Sequence, residues 1–433
     1  MRRVMTCQLI LHDVPENTEL GIDLKFWKIG KCFKGIKDIP LGIHFVYYSA
    51  VNSDCLSGQR VGFITNFDQP GFIVKKWRRD EEDFIDVAPS SDEIERLSSN
   101  LTEISMYLGR YPTESYRDWI SLSNFITATT LNRLVPRCGR LYSCPHFLSV
   151  SSNTQGRLAL KNIGTTNCSP NTNPEDLLPN LKVIPGTEVR FTSLPPKPLY
   201  PSASSAAEIT AHCLDQTYTL NAILDVISSN VNLGINNTVS KDPDCTRELL
   251  AEFQFAFLNL LLIHSIEGWE QWRRIFQLLA SCEKAIFEYP QMYIDFITVL
   301  YHQLNNANKS EVTNNHSTVE LLDLFFSESS SSCTRDRLTE PGFLPTMLGR
   351  LFKNIHSVCK CDVDISSADE TSNKLKNLLE RAVGFSHSIK EKFKWDVIRS
   401  SQKHTSDITE IPVEEFDWDG MKLPSLYIYR LKR

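Results

Sequence analysis

The chain has 433 residues, of which 41% are hydrophobic, 10% aromatic and 23% charged, and its formal net charge is −6 at pH 7. This is the composition of a globular protein long enough for two or three domains. The negative balance excludes a global basic field that would concentrate the chain on nucleic acid or anionic membrane. Residues 1–11 carry two arginines but no apolar run of the kind a secretion signal needs. The most apolar stretch, 253–263, contains Gln254 and Asn259. It falls well short of the roughly 20 apolar residues that span a bilayer, so it reads as a buried core helix. Twelve cysteines stand at no framework spacing and read as reduced intracellular thiols. The expectation is a protein of the cytoplasm and nucleus with no membrane association.

In chain order, residues 1–130 read as β-rich. A strand is predicted at 7–11, ending at the turn Val14-Pro15-Glu16-Asn17, and another at 43–48, where β-branched and aromatic residues dominate. Residues 61–67 and 72–77 flank Asp68-Gln69-Pro70-Gly71, which predicts a hairpin. From Ser91 the pattern turns helical: Ile94, Leu97, Leu101, Ile104 and Leu108 share a face, with Asp92 and Glu93 in the first turn. A second helix is predicted over 113–127. Residues 131–204 are rich in Pro, Asn, Ser and Gly and read as an irregular linker, interrupted by one short strand at 188–191.

Residues 205–399 read as all-helical. Ile209, Cys213, Leu220, Ile223 and Ile227 mark one amphipathic helix, and 248–266 is apolar all round, as for a helix enclosed by others. Trp272 to Ile286 supplies the next. Pro290 opens another as a first-turn proline, with Tyr293, Phe296, Ile297, Leu300 and Leu304 on one face. Further helices run through Leu344–Ile355 and Leu375–Phe393, separated by polar inserts at 305–318, 327–337 and 359–372. No internal repeat of fixed period is visible. Residues 400–433 read as a flexible acidic tail. Residues 407–419 hold six acids and no Lys or Arg, and 423–431 are β-prone.

Candidate chemistry is sparse. Gly30-Lys31 is followed by Cys32 and lacks the earlier glycine of a phosphate-binding loop. No dinucleotide fingerprint, nucleophile elbow or helical zinc-protease motif occurs. His356, Cys359 and Cys361 form one group of soft ligands, and Cys138, Cys144 and His146 another. Neither supplies the four ligands of a structural zinc site, so both read as unpaired loop residues. His212 and Asp215, spaced i, i+3, predict a hydrogen bond on a helix surface. His44, inside an apolar strand, reads as a hydrogen-bonded core histidine. No cofactor, no metal and no catalytic residue is assigned.

The remaining motifs point elsewhere. Gly21-Ile22-Asp23, Trp27, Gly30, Phe33-Lys34-Gly35-Ile36-Lys37 and Ile39-Pro40-Leu41-Gly42-Ile43-His44-Phe45 resemble the N-terminal domain of the Aar-two splicing-factor family. The resemblance continues through Trp119-Ile120-Ser121-Leu122-Ser123-Asn124-Phe125-Ile126, Gly186-Thr187-Glu188-Val189-Arg190-Phe191 and Ala207-Glu208-Ile209-Thr210 with His212. It is carried further by Glu252-Phe253-Gln254-Phe255-Ala256-Phe257, Trp272-Arg273-Arg274, Leu300-Tyr301-His302-Gln303-Leu304 and Lys392-Phe393-Lys394-Trp395-Asp396. Leu41 stands where the family more usually has a second proline.

The resemblance implies an α+β multidomain fold, with a β-sandwich-like N-terminal domain carrying two helices and then an all-α, VHS-like helical domain. It also implies a non-enzymatic monomer that binds pre-mRNA-processing-splicing factor 8 at its RNase H-like and Jab1/MPN domains. Such a protein chaperones U-five and tri-snRNP assembly by blocking premature helicase docking, without sequence-specific contact to nucleic acid. A β-prone segment at 423–431 without a neighbouring strand either folds back on the N-terminal sheet, stays disordered or pairs with a partner's sheet edge; the resemblance favours the last, with Leu426, Tyr427, Ile428, Tyr429 and Leu431 as partner-binding residues. Gly21, Gly30, Gly35 and Gly42 are expected where the chain turns or packs closely.

Overall fold

Alternating apolar and polar residues in the first 86 positions build eight strands, two short strands at 108–110 and 141–142 complete two five-stranded sheets, and helices follow over residues 206–393. The α+β multidomain organisation expected from the pattern is therefore present. This computed structural model describes residues 6–51, 57–87, 90–144, 147–149, 181–234, 245–309, 342–361, 370–393 and 395. Within them the chain forms two compact units. One draws on Met1–Trp119, Ile126–Phe191 and Leu258–Trp269, the other on Ile120–Phe125, Thr192–Phe257 and Glu270–Arg433.

The strands are β1 (Cys7–His12), β2 (Glu19–Ile22), β3 (Lys25–Lys28), β4 (Gly35–Ile39), β5 (Gly42–Ser49), β6 (Val61–Phe67), β7 (Phe72–Arg78), β8 (Asp83–Asp86), β9 (Leu108–Arg110) and β10 (Leu141–Tyr142). One sheet has the order β8-β7-β1-β4-β9 and the other β10-β6-β5-β2-β3. Aromatic side chains close the space between them. The Tyr48 ring meets Phe84 edge-on at 4.7 Å and Trp77 at 5.6 Å. On the opposite face of the first sheet, Ile10, Val74, Leu97 and Leu108 form a small cluster. Both faces of β1 are thus buried, which explains why Leu9, Ile10 and Leu11 run consecutively apolar.

The predicted hairpin at 61–77 is not one. β6 pairs with β5 and β10, whereas β7 pairs in parallel with β1 and antiparallel with β8. The connection at Asp68-Gln69-Pro70-Gly71 carries the chain from one sheet to the other. Two apolar strands around a tight link can pair edge to edge or arch face to face, and the core decides: Phe63 and Phe84 meet across the layers at 6.4 Å.

Two glycines hold this arrangement. Gly35 has φ +138, and a Cβ there would lie 1.9 Å from the Leu9 carbonyl oxygen. A Cβ on Gly21 would lie 2.3 Å from the Tyr47 ring. Gly30, by contrast, faces open space; it opens a turn, its carbonyl accepting from the Phe33 amide (3.1 Å), without close packing.

The helices of this region are α1 (Ser91–Ser99), α2 (Leu101–Ile104), α3 (Tyr116–Ser123) and α4 (Ala128–Leu134). The continuous helix predicted through Leu108 breaks at Asn100, and Leu108 enters β9. Thr127 and Thr130 form a capping box that starts α4 just before the predicted linker, and the helix runs on into it. β11 (Phe147–Ser149) pairs with β12 (Leu181–Val183). No strand forms at 188–191. There Arg190 donates from its amide to the Leu134 carbonyl (2.9 Å) and from Nε to that of Val135 (2.8 Å). A cation closing the orphan carbonyls of a helix end outweighs a lone strand that has no neighbour.

The second half holds α5 (Ala206–Leu214), α6 (Thr217–Gly234), α7 (Cys245–Ile263), α8 (Ile266–Ala280), α9 (Glu283–Glu288), α10 (Pro290–Lys309), α11 (Phe343–Cys361) and α12 (Glu370–Phe393). Every residue of α7 from 248 to 260 is buried, as the all-round apolar pattern predicts. Phe253 stacks on Trp272 at 5.4 Å and meets Phe296 edge-on at 5.3 Å. Two predicted helices are each split in two, between α5 and α6 and between α8 and α9. One carboxylate serves both breaks: Asp215 Oδ1 accepts from the amides of Thr217 (3.2 Å) and Glu283 (3.0 Å), near the starts of α6 and α9.

Candidate functional site

The most catalytic-looking group lies in the first unit. Asp23 sits in the two-residue turn between β2 and β3 at φ 54, a left-handed conformation that Asp tolerates better than most residues. Its carboxylate accepts from His44 Nδ1 (2.7 Å), the Tyr111 hydroxyl (2.6 Å) and the Phe45 amide (2.9 Å). Burial, followed by the Asp23 charge, pushes the Tyr111 phenol far above its ordinary value, so it remains a donor. His44 Nε2 lies 3.0 Å from the Pro40 carbonyl, and both Asp23 and His44 are fully buried. The rings of Phe67, Tyr111, Tyr116 and Trp119 surround the imidazole at 5.3–6.4 Å. An Asp–His pair can orient a general base, but here both ring nitrogens are spent and no nucleophile adjoins them. The group pins the β2–β3 turn to β5 and to the chain after β9. His44 is the core histidine the sequence suggests.

A second ionic group crosses the sandwich. Lys75 is 5% exposed; it pairs with Asp86 and lies 4.1 Å above the Phe63 ring. Arg140 covers the same ring at 5.5 Å and donates to Asp83 (3.2 Å) and to the Phe84 carbonyl. Tyr48 also donates to Asp83. Burial pulls the Lys75 ammonium below the usual lysine value, and its bond to Asp86 opposes that shift. A lysine of lowered pKa is a nucleophile only if a substrate reaches it. This one is sealed between an aromatic ring and a carboxylate.

In the second unit the polar residues of the apolar helix α7 act as clamps. Glu252, fully buried, accepts from the Thr192 amide and hydroxyl (both 2.7 Å) and from Gln271 Nε2 (2.9 Å). Gln254 accepts from the Phe125 amide (2.9 Å) and donates to Asn124 Oδ1 (2.7 Å). Trp272 Nε1 donates to Gln303 (2.9 Å). Asn124-Phe125, Glu252–Phe257, Trp272 and Gln303, far apart in sequence, meet through these bonds and the Phe253–Trp272 stack. Sequence reading missed Thr192 and Gln271, which carry no distinguishing signal.

The weaker candidates do not assemble. His212 contacts the Tyr218 ring at 5.3 Å, while Asp215 is the C-cap of α5 and bonds Thr217 and Glu283, so the two do not form the expected pair. His356, Cys359 and Cys361 belong to α11 and not to a loop, and Cys359 Sγ lies buried 3.5 Å from the Leu375 carbonyl. Cys138 and Cys144 are exposed, and His146 lies outside the described residues. No group of three possible metal ligands occurs among the described residues. None of their helices is long and apolar enough to cross a membrane. Leu426, Tyr427, Ile428, Tyr429 and Leu431 also lie outside the described residues.

Two sheets followed by helices, with motif side chains spent on internal clamps, define an α+β protein whose recognisable residues build architecture. Residues 5–136 match the AAR2 N-terminal domain and residues 191–398 the AAR2 C-terminal repeat region. Proteins named "Protein AAR2 homolog" from Macaca fascicularis and Homo sapiens are 31% and 30% identical to the chain, covering 93% of it and 93% of their own length. The Caenorhabditis elegans homolog is 28% identical, covering 90% of this chain and 94% of its own. The chain belongs to the AAR2 family.

Proposed function

We propose that this protein is a non-catalytic splicing factor that binds pre-mRNA-processing-splicing factor 8 and chaperones U-five and tri-snRNP assembly. The observation that carries the reading is family membership along nearly the whole chain, with motif residues that serve as buried clamps and converge on no reaction centre. The protein acts as a monomer between cytoplasm and nucleus. It holds the RNase H-like and Jab1/MPN domains of the scaffold and blocks premature docking of the helicase. A chain of net charge −6 is suited to covering basic, RNA-facing surfaces of such a scaffold, and it needs neither metal nor cofactor. Affinity purification of the full chain followed by mass spectrometry tests the reading. Enrichment of the U-five scaffold, and direct binding of its two purified domains, is the expected result. Recovery of unrelated partners with no binding to either domain would end it.

A further inference from the structure

The strand β3 is an edge of its sheet, paired only with β2. Register fixes which way its backbone points. The Ile29 amide donates to Thr18 (3.1 Å) and its carbonyl accepts from Asn17 (2.9 Å), so Ile29, Trp27 and Lys25 face β2. The N–H and C=O groups of Phe26 and Lys28 therefore point outward. Neither residue has a backbone partner on that side among the described residues.

The side chains around this edge are basic and aromatic. Lys25 and Lys28 lie on β3 and Lys31 in the loop after it, whereas Lys34 and Lys37, next in the same three-residue period, lead into the other sheet and face the Tyr107 ring and Ser105. Lys28 and Lys31 are exposed. Lys31 has no carboxylate within ion-pair distance among the described residues, and Lys28 reaches Glu19 only at 3.9 Å. Trp27 lies opposite Leu20, which pairs with Tyr48 on the face between the sheets, yet Trp27 is 41% exposed, at the rim of the sandwich. The other edges differ: β8 carries Asp83 and Asp86, β10 has two residues, and β9 ends two residues before Pro112.

We infer that the β3 edge accepts an acidic, extended segment of a partner protein as an additional strand. Lysine on an edge strand guards against self-association, because two β3 edges side by side would set lysine against lysine. The same charges select an acidic strand over a neutral or basic one. A nucleic acid fits less well, since a phosphate backbone offers no donors to the Phe26 and Lys28 carbonyls, whereas a peptide supplies donor and acceptor alternately. Trp27 offers an apolar side chain of that segment a surface at one end. This inference does not depend on the U-five scaffold being the partner.

A ten-residue fluorescent peptide of alternating Glu and Val, titrated into the full chain and followed by anisotropy, is the test. The expected result is saturable binding, weakened at least tenfold by the surface substitutions Lys28→Glu and Lys31→Glu together. A peptide N-methylated at alternate residues, which keeps the charge but cannot complete the ladder, should also lose at least tenfold. Hydrogen exchange should slow at the Phe26 and Lys28 amides on binding and leave Trp27, already paired, unchanged. Equal binding of the methylated peptide would reduce the surface to a charge patch and overturn strand addition. So would absence of binding at millimolar peptide, or tighter binding of oligouridylate lost on the same two substitutions. An unchanged thermal unfolding midpoint shows that the double variant is folded.

Discussion

Asp23 ties three separate parts of the N-terminal fold together. It supplies the left-handed turn between β2 and β3 and receives three buried donors from β5 and the chain after β9. Asp23→Ala removes the acceptor from all three and forces a less suitable residue into the turn. The expected loss is about 3 kcal/mol or more in urea denaturation. Asp23→Asn keeps the turn and part of the acceptor and should cost clearly less. Equal stability of the alanine variant and the parent would show that the network contributes little. Spacing alone makes His44 a core residue with a hydrogen bond; it does not reveal Asp23 as the partner 21 positions earlier, nor Tyr111 as the third member.

At the scale of elements, the fold depends on how helix and strand ends are closed. After Ile263 the chain enters His264 at φ 58. The Arg60 guanidinium donates to the Leu262 carbonyl (3.1 Å) and to His264 Nε2 (3.2 Å), while lying 5.6–5.7 Å from the Phe26 and Tyr47 rings. Because the guanidinium can only donate, Nε2 must accept, and the imidazole is neutral. Burial, and then the Arg60 charge, pull its pKa from 6.5 to about 4. Below about 6.5 the unfolded chain takes up a proton that the folded chain refuses. The associated stability is therefore complete above that pH and is lost as pH falls toward 4. Lowering the pH from 7 to 5 should cost about 1 kcal/mol from this residue after allowance for solvent screening. His264→Asn, which tolerates the left-handed turn, should abolish that share in urea midpoints measured at both pH values. An identical pH slope in the variant would show that the titrating group lies elsewhere. The hairpin predicted at 61–77 and the strand at 188–191 fail for a related reason: local propensity does not say which neighbour will satisfy a backbone.

For the molecule as a whole, the central question is how a clamp-built scaffold engages a partner. The family resemblance suggests Leu426, Tyr427, Ile428, Tyr429 and Leu431 as partner-binding residues, and we propose that this segment adds a strand to the scaffold. Truncation after Ser401 should weaken scaffold binding about tenfold, which is 1.4 kcal/mol. Calorimetric titration of both forms against the purified scaffold domains measures this. Unchanged affinity, with unchanged hydrogen exchange in the tail on binding, would remove the tail from the interface. The β3 edge would be untouched by that outcome, because its test uses a peptide and not the scaffold.

The amino-acid sequence by itself determined the fold class, the enclosed helix α7, the first-turn proline of α10, the core role of His44 and the family. Each follows from periodicity, from a local preference, or from residue blocks long enough to be specific. Only the tertiary structure decided that β6 and β7 lie in different sheets, that one Asp215 carboxylate serves both α6 and α9, and that Glu252 and Gln254 bind segments 60 and about 130 residues away. It also placed Lys25 and Lys28, the first members of a three-residue lysine period, on an open sheet edge. Contacts between residues distant in sequence leave no periodic trace, since a buried carboxylate needs only some donor at the right place, and the chain can bring that donor from anywhere.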